Sequence, residues 1–164
     1  MKTLFLSILS TFLASTLMAT QEPENNDLYR SGSLGISIVP PISETETEGN
    51  YTVAHFFLPA KNGFSGNVNV QKQYYPGTID SYNELSVKQF KELGITILKN
   101  SNRKDELMYE SKGIVTGYDL HFYTRAIKKG DHVFLVTATG LAKDWESQKK
   151  KLMESVNSFK LAKE

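Results

Sequence analysis

The spacing of apolar residues changes at Pro76-Gly77, and that change divides the core of the chain into two kinds of element. Before it, Asn67 to Tyr75 alternates, with Val68 and Val70 on one side and Asn67, Asn69, Gln71 and Gln73 on the other. A period of two is the signature of a half-buried strand. After it, Ile79, Tyr82, Ser86, Phe90 and Leu93 recur at helical spacing. Thr78 or Asp80 can cap that helix by accepting a backbone N–H bond, and Gly94 supplies the left-handed residue that ends it. Leu34–Val39 alternates up to Pro40-Pro41 and predicts a first strand. Tyr51–Leu58 predicts a second, followed by a turn over Pro59–Gly66. Beyond Gly94 the pattern predicts a short strand at Ile95–Leu98 and a polar turn at Lys99–Asp105. A hairpin of Glu106–Ser111 and Tyr118–Lys128 closes across Gly113–Gly117. A tight turn at Lys129-Gly130-Asp131 leads to a strand at His132–Thr139. Val133–Val136 is apolar at every position, as in a central strand covered on both faces. The last element is a helix from about Leu141 to Ser158, with a stripe of Trp145, Gln148 or Lys149, Leu152, Val156 and Phe159, and Met153 beside it.

The order β-β-β-α-β-β-β-β-α predicts an α+β fold: an antiparallel β-sheet of about six to seven strands flanked by helices. Residues 1–19 fit a secretory signal peptide: a charged start at Lys2, an uncharged apolar run, and small Ala19 at the expected cleavage point. The run is shorter than the roughly 20 apolar residues a bilayer span needs. No cysteine follows it, so no lipid anchor is expected. Residues 20–33 are acidic and polar and read as a flexible leader. Residues 34–162 then make one domain, extracytoplasmic (periplasmic or secreted) and without stable membrane insertion once the signal is removed.

Composition narrows the chemistry. Lys and Arg total 19 against 18 Asp and Glu, a net charge of +1. That balance argues against nucleic acid, which rewards clustered positive charge. With no Cys there is no disulfide, thiolate nucleophile or Cys-based metal site. An exported domain without disulfides relies on its core, to which 8 Tyr and 9 Phe contribute. No nucleophile elbow, phosphate-binding loop, zinc-helix motif or dinucleotide fingerprint is present. His55, His121 and His132 lack ligand spacing on any helix, so no metal and no cofactor are expected. The acidic loop Ser43–Asn50 lacks a calcium-loop pattern. Lys149–Lys151 reads as a solvated helix face, and Trp145 as a core anchor.

The candidate binding residues are two polar rows. Asp119, His121, Tyr123 and Arg125 share one face of a strand, and Asn69 and Gln71 belong to the polar row of another. If the rows are neighbours, they form one wet patch in which Tyr and Arg, the residues that anchor interfaces, stand among amides. An ordinary solvated sheet face gives the same alternation.

Three segments resemble the PsbP/Mog fold family, and in particular its bacterial periplasmic DcrB-like branch. They are Phe57–Ala60 with Gly63-Phe64 and Asn67–Val70, then Val133–Thr139 running into Trp145, and finally Ser155–Phe159. The resemblance follows the chain from about Leu34 to Leu161. It implies an α/β/α sandwich and a non-enzymatic habit; relatives include a photosystem II extrinsic subunit, a Ran-binding protein and chaperones that shield apolar helices of secreted effectors. It carries over no site residue. The function expected is that of an exported, non-enzymatic binding or accessory protein of the cell envelope, with another envelope protein as partner. The alternative is a small-molecule or lipid carrier, with a pocket between sheet and helix lined by Phe90, Tyr82 and Phe122.

Overall fold

A computed structural model describes residues 29–31, 36–38 and 51–161. These fall in two units that divide between Glu48 and Gly49. The first holds strands β1 (Tyr29–Ser31) and β2 (Ile36–Ile38), paired antiparallel with Tyr29 opposite Ile38. A strand at 29–31 differs from the flexible leader expected there, and β2 is the core of the strand expected at Leu34–Val39. The expected signal peptide and the acidic loop lie outside the described residues.

The second unit is a six-stranded, wholly antiparallel sheet with two helices. Its strands are β3 (Tyr51–Phe57), β4 (Asn67–Tyr74), β5 (Thr96–Arg103), β6 (Glu106–Val115), β7 (Tyr118–Lys129) and β8 (His132–Leu141), in spatial order β3-β4-β8-β7-β6-β5. Helix α1 (Ile79–Glu92) joins β4 to β5, and α2 (Trp145–Ser158) follows β8 after one 3-10 turn. The α+β architecture is the one the strand and helix order implies. β8 is central, as its unbroken apolar run requires.

Local chemistry explains the joints. Asn62-Gly63 forms a type I′-like turn with both residues at positive φ (53° and 77°), closed by paired bonds between Lys61 and Phe64. Thr116-Gly117 does the same between β6 and β7, at φ 48° and 84°. Thr78 caps α1 by accepting the Ser81 N–H at 3.1 Å. At the other end Gly94 N–H reaches the Lys91 carbonyl and Ile95 N–H the Phe90 carbonyl, the six-to-one closure that a glycine at positive φ allows.

The helices pack on opposite faces of the sheet. On one face the Tyr82 hydroxyl of α1 donates to buried Gln73 of β4 at 2.7 Å, and Tyr109 of β6 donates to Asn83 of α1 at 2.6 Å. On the other, Trp145, Leu152 and Val156 of α2 pack against Val68, Val70, Tyr123, Val136 and Ala138. Gly140 lets the Trp145 ring lie close to the sheet; a Cβ there would stand 3.2 Å from the ring.

One expectation fails at the outer edge. Lys99–Asp105 is not a polar turn: β5 runs on to Arg103 and only Lys104-Asp105 turn. β5 is an edge strand whose polar side chains face solvent on both sides, so it carries no apolar period to read.

Candidate functional site

The α2 face is not wholly covered by its helix. α2 crosses β4, β8 and β7, and the strip of β6 and β5 beyond its C-terminal end holds a groove of about 310 Å³. Ser101, Arg103, Glu106, Met108, Tyr123, Arg125 and Asn157 line it. The pairing register places these residues in rows: Ser101 opposite Met108, Met108 opposite Arg125, and Arg103 opposite Glu106.

Arg125 holds the groove together. Its Nε donates to Glu106 Oε1 at 2.7 Å, and its Nη1 donates to the carbonyls of Val156 and Asn157 at 3.1 and 3.3 Å. The last turn of α2 has no basic residue of its own. A guanidinium from the sheet therefore satisfies carbonyls left open at the helix end and complements its partial negative charge. Beside it, the Tyr123 hydroxyl donates to Asn157 Oδ1 at 3.0 Å. The bond from Arg125 holds the Glu106 carboxyl below its usual range against the opposing effect of burial, and the nearby Arg103 charge adds to this.

One step along the same face, His121 Nε2 lies 2.9 Å from Glu110 Oε1, and Lys99 Nζ lies 3.2 Å from Glu110 Oε2. The imidazole stacks on the Trp145 indole, with ring centroids 4.2 Å apart and planes 13° from parallel. Burial raises the affinity of Glu110 for a proton, but the bonds from His121 and Lys99 outweigh it and its pKa is lowered. The His121 side chain is 13% exposed, so its polar edge is occupied by Glu110 and one face by Trp145. Asp119 stands at the exposed start of β7, opposite Ile114, and does not line the groove.

The second polar row lies on the other side of the sheet. β8 separates β4 from β7, pairing Gln71 with Leu135 and Arg125 with Val136. Leu135 and Val136 are consecutive and point to opposite faces. Asn69 and Gln71 therefore share the α1 face, and the single wet patch combining both rows does not form. Gln71 is 4% exposed and accepts a hydrogen bond from Gln73, which accepts one from Tyr82. It belongs to an interior relay. Asn69 is half-buried between His55 of β3 and Thr137 of β8.

The rings expected to line a carrier pocket are also divided. Tyr82 and Phe90 are buried under α1, packed edge-to-face on Tyr75 and Tyr109. Phe122 belongs to a separate cluster with Leu120 and Leu141. Of Lys149–Lys151, Lys149 pairs with Glu146 at 2.5 Å. Lys150 and Lys151 border a second groove of about 530 Å³, walled by Leu58, Pro59 and Ala60.

The sequence pointed to Tyr123 and Arg125 but missed Ser101, Arg103, Glu106 and Asn157. Ser101 and Arg103 lay in the segment read as a turn, and Asn157 in a helix-end motif. Among the described residues, no group of three His, Asp or Glu could hold a metal ion, and no helix is long and apolar enough to cross a membrane.

No protein-family model and no curated protein matches the chain. Among solved structures it is similar to PA94 of Pseudomonas aeruginosa, a protein of unknown function suggested to be a regulator. The likeness has a TM-score of 0.62 at 14% identity and covers 84% of this chain and 97% of that one. At this identity it shows a shared fold. The cyanobacterial PsbP of Synechocystis sp. PCC 6803 aligns over 73% of this chain and 96% of its own, with a TM-score of 0.44 and 9% identity.

Proposed function

We propose that this is an exported, non-enzymatic binding or accessory protein of the cell envelope, and that the groove at the end of α2 is where it contacts a partner protein. The signal-like first segment and the segments resembling the DcrB-like branch support the location. The groove carries the reading of binding. It is a polar recess with an Arg, a Tyr and an amide on a rigid sheet and helix end, the residue types that anchor interfaces. His121, the histidine nearest to it in sequence, is committed to Glu110 and Trp145 rather than to a hydroxyl nucleophile. That arrangement suits recognition better than proton transfer.

The geometry also decides which residue can test the reading. Arg125→Glu would remove the cation at the end of α2 and place two carboxylates side by side, so it should destabilise the fold. Arg103 is exposed and serves better. A photo-crosslinking residue at Ser101, in the full chain in its native host, should capture one dominant envelope protein, and Arg103→Gln, which removes the charge without setting a second carboxylate opposite Glu106, should reduce that capture with the melting temperature unchanged. Capture from the α1 face and none from Ser101 would move the contact surface elsewhere.

A further inference from the structure

We propose that the groove recognises a carboxylate, presented by an acidic side chain within an extended segment of the partner; this rests on the groove being the contact surface. The lining carries an excess of positive charge. Arg103 and Arg125 both line the groove, and among the described residues that line it Glu106 is the only carboxylate. One positive charge is left unbalanced at a half-enclosed site, where screening by water is weakened.

The unused hydrogen-bonding groups are donors. Arg125 commits Nε and Nη1 to protein acceptors, and among the described residues its Nη2 makes no hydrogen bond. The Arg103 guanidinium likewise makes no hydrogen bond to a described residue, though its charge acts on Glu106. The Asn157 amide is oriented by the Tyr123 hydroxyl, which occupies Oδ1 and leaves Nδ2 as a donor. The Ser101 hydroxyl faces the same space. The recess is thus rich in donors, and two of its groups are guanidiniums. An acceptor-only, charged, planar group is the complement, and guanidinium binds carboxylate through two parallel bonds.

The groove runs out at β5, the end strand of the sheet, which among the described residues pairs only with β6. The bulge between Ile97 and Lys99 bends the start of this edge, while Asn100–Arg103 keeps regular register. An extended segment lying along that stretch continues past the groove and points alternate side chains into it. A side-chain carboxylate suits this open-ended approach better than a chain terminus.

The test uses the full chain and a peptide with both ends blocked: acetyl-Thr-Val-Thr-Glu-Thr-Val-Thr-amide, against the same peptide with Gln in place of Glu. Amide NMR should show the Glu peptide shifting the signals of Ser101, Arg103 and Arg125 Nε–H. The Gln peptide should bind about tenfold or more weakly, the loss expected for a charge-assisted bond. Arg103→Gln should remove the preference and leave the fold intact. Equal binding of the two peptides, no shift with either, or an undiminished preference in Arg103→Gln would overturn the carboxylate. The Ser101 crosslink separates the two proposals. Capture that survives Arg103→Gln keeps the groove as a contact surface without the carboxylate, whereas an unsubstituted chain that neither binds the Glu peptide nor yields a Ser101 capture removes both.

Discussion

The two faces of the sheet bury aromatic side chains of similar size but use their polar atoms differently. Under α1, hydroxyls point inward: Tyr82 feeds Gln73, Gln73 feeds Gln71, and Tyr109 meets Asn83. The face is closed by its own tyrosines. Under α2, the large anchor is Trp145, whose indole N–H has no hydrogen-bond partner among the described residues. Beyond the helix, Tyr123 and Arg125 use their polar atoms to moor its C-terminal end, while His121 bonds Glu110 and stacks on Trp145. A face whose tyrosine hydroxyls and buried carboxamides bond one another has few donors to offer a partner, and the buried atom left over on α1, Gln89 Oε1, is an acceptor. A face that satisfies its polar groups at its margin leaves a recess.

The sharpest test of this contrast is Trp145→Ala. The side chain is 2% exposed and packs between α2 and the sheet, so truncation should cost about 3–5 kcal/mol. That is a large share of the roughly 5–15 kcal/mol by which a domain is stable. Denaturant unfolding measures it. Trp145→Phe should cost much less, because the lost indole N–H bonds to none of the described residues and most of the ring area remains. A Phe variant as damaged as the Ala variant would mean that the indole is held by a bond the contrast leaves out.

On the α1 face the informative change removes one oxygen. Tyr82→Phe keeps the ring in place but strands the Gln73 carboxamide oxygen, and an unsatisfied buried acceptor costs about 1–3 kcal/mol. Tyr109→Phe should cost less, since its partner Asn83 is half-buried and can turn to water. The same unfolding measurement ranks the pair. A Tyr109 effect larger than that of Tyr82 would place the closing bond of this face at the helix edge and not at the relay.

Much of this contrast was legible from residue spacing. The helical recurrence of Ile79, Tyr82, Ser86 and Phe90 marks the buried side of α1, and the Trp145, Leu152 and Val156 stripe marks that of α2. Period-two alternation also put His121, Tyr123 and Arg125 on one face. Spacing within a strand cannot say which strand comes to lie beside it. β4 and β7 are adjacent to β8 on its two sides, and their polar rows fall on opposite faces because register across β8 fixes them so. Nor does alternation separate a buried Gln from an exposed one: Gln71 and Gln73 read as solvated and form an interior relay. Arg103 was hidden for another reason, since an edge strand wet on both sides has the composition of a turn.

The smallest effect is also the most specific to each face, because the two should respond to pH in opposite directions. The carboxyls of Glu106, Glu110 and Asp144 accompany α2 and are all held below their ordinary range. A group whose folded pKa is depressed contributes stability above its unfolded value and loses it as pH falls through the folded value. The α2 face should therefore weaken below about pH 4.5, the ordinary value for glutamate. Under α1, burial pushes Tyr109 up to about 12 and Tyr82 well above the ordinary 10.0. Raised groups contribute stability below the unfolded value and lose it as pH rises through the folded value, so this face should weaken above about pH 10. Melting temperature recorded against pH would show two limbs. Glu110→Gln should flatten the acid limb and leave the alkaline one, and Tyr109→Phe should do the reverse. If either variant altered both limbs equally, the two faces would be melting as one electrostatic unit and the contrast between them would be structural only.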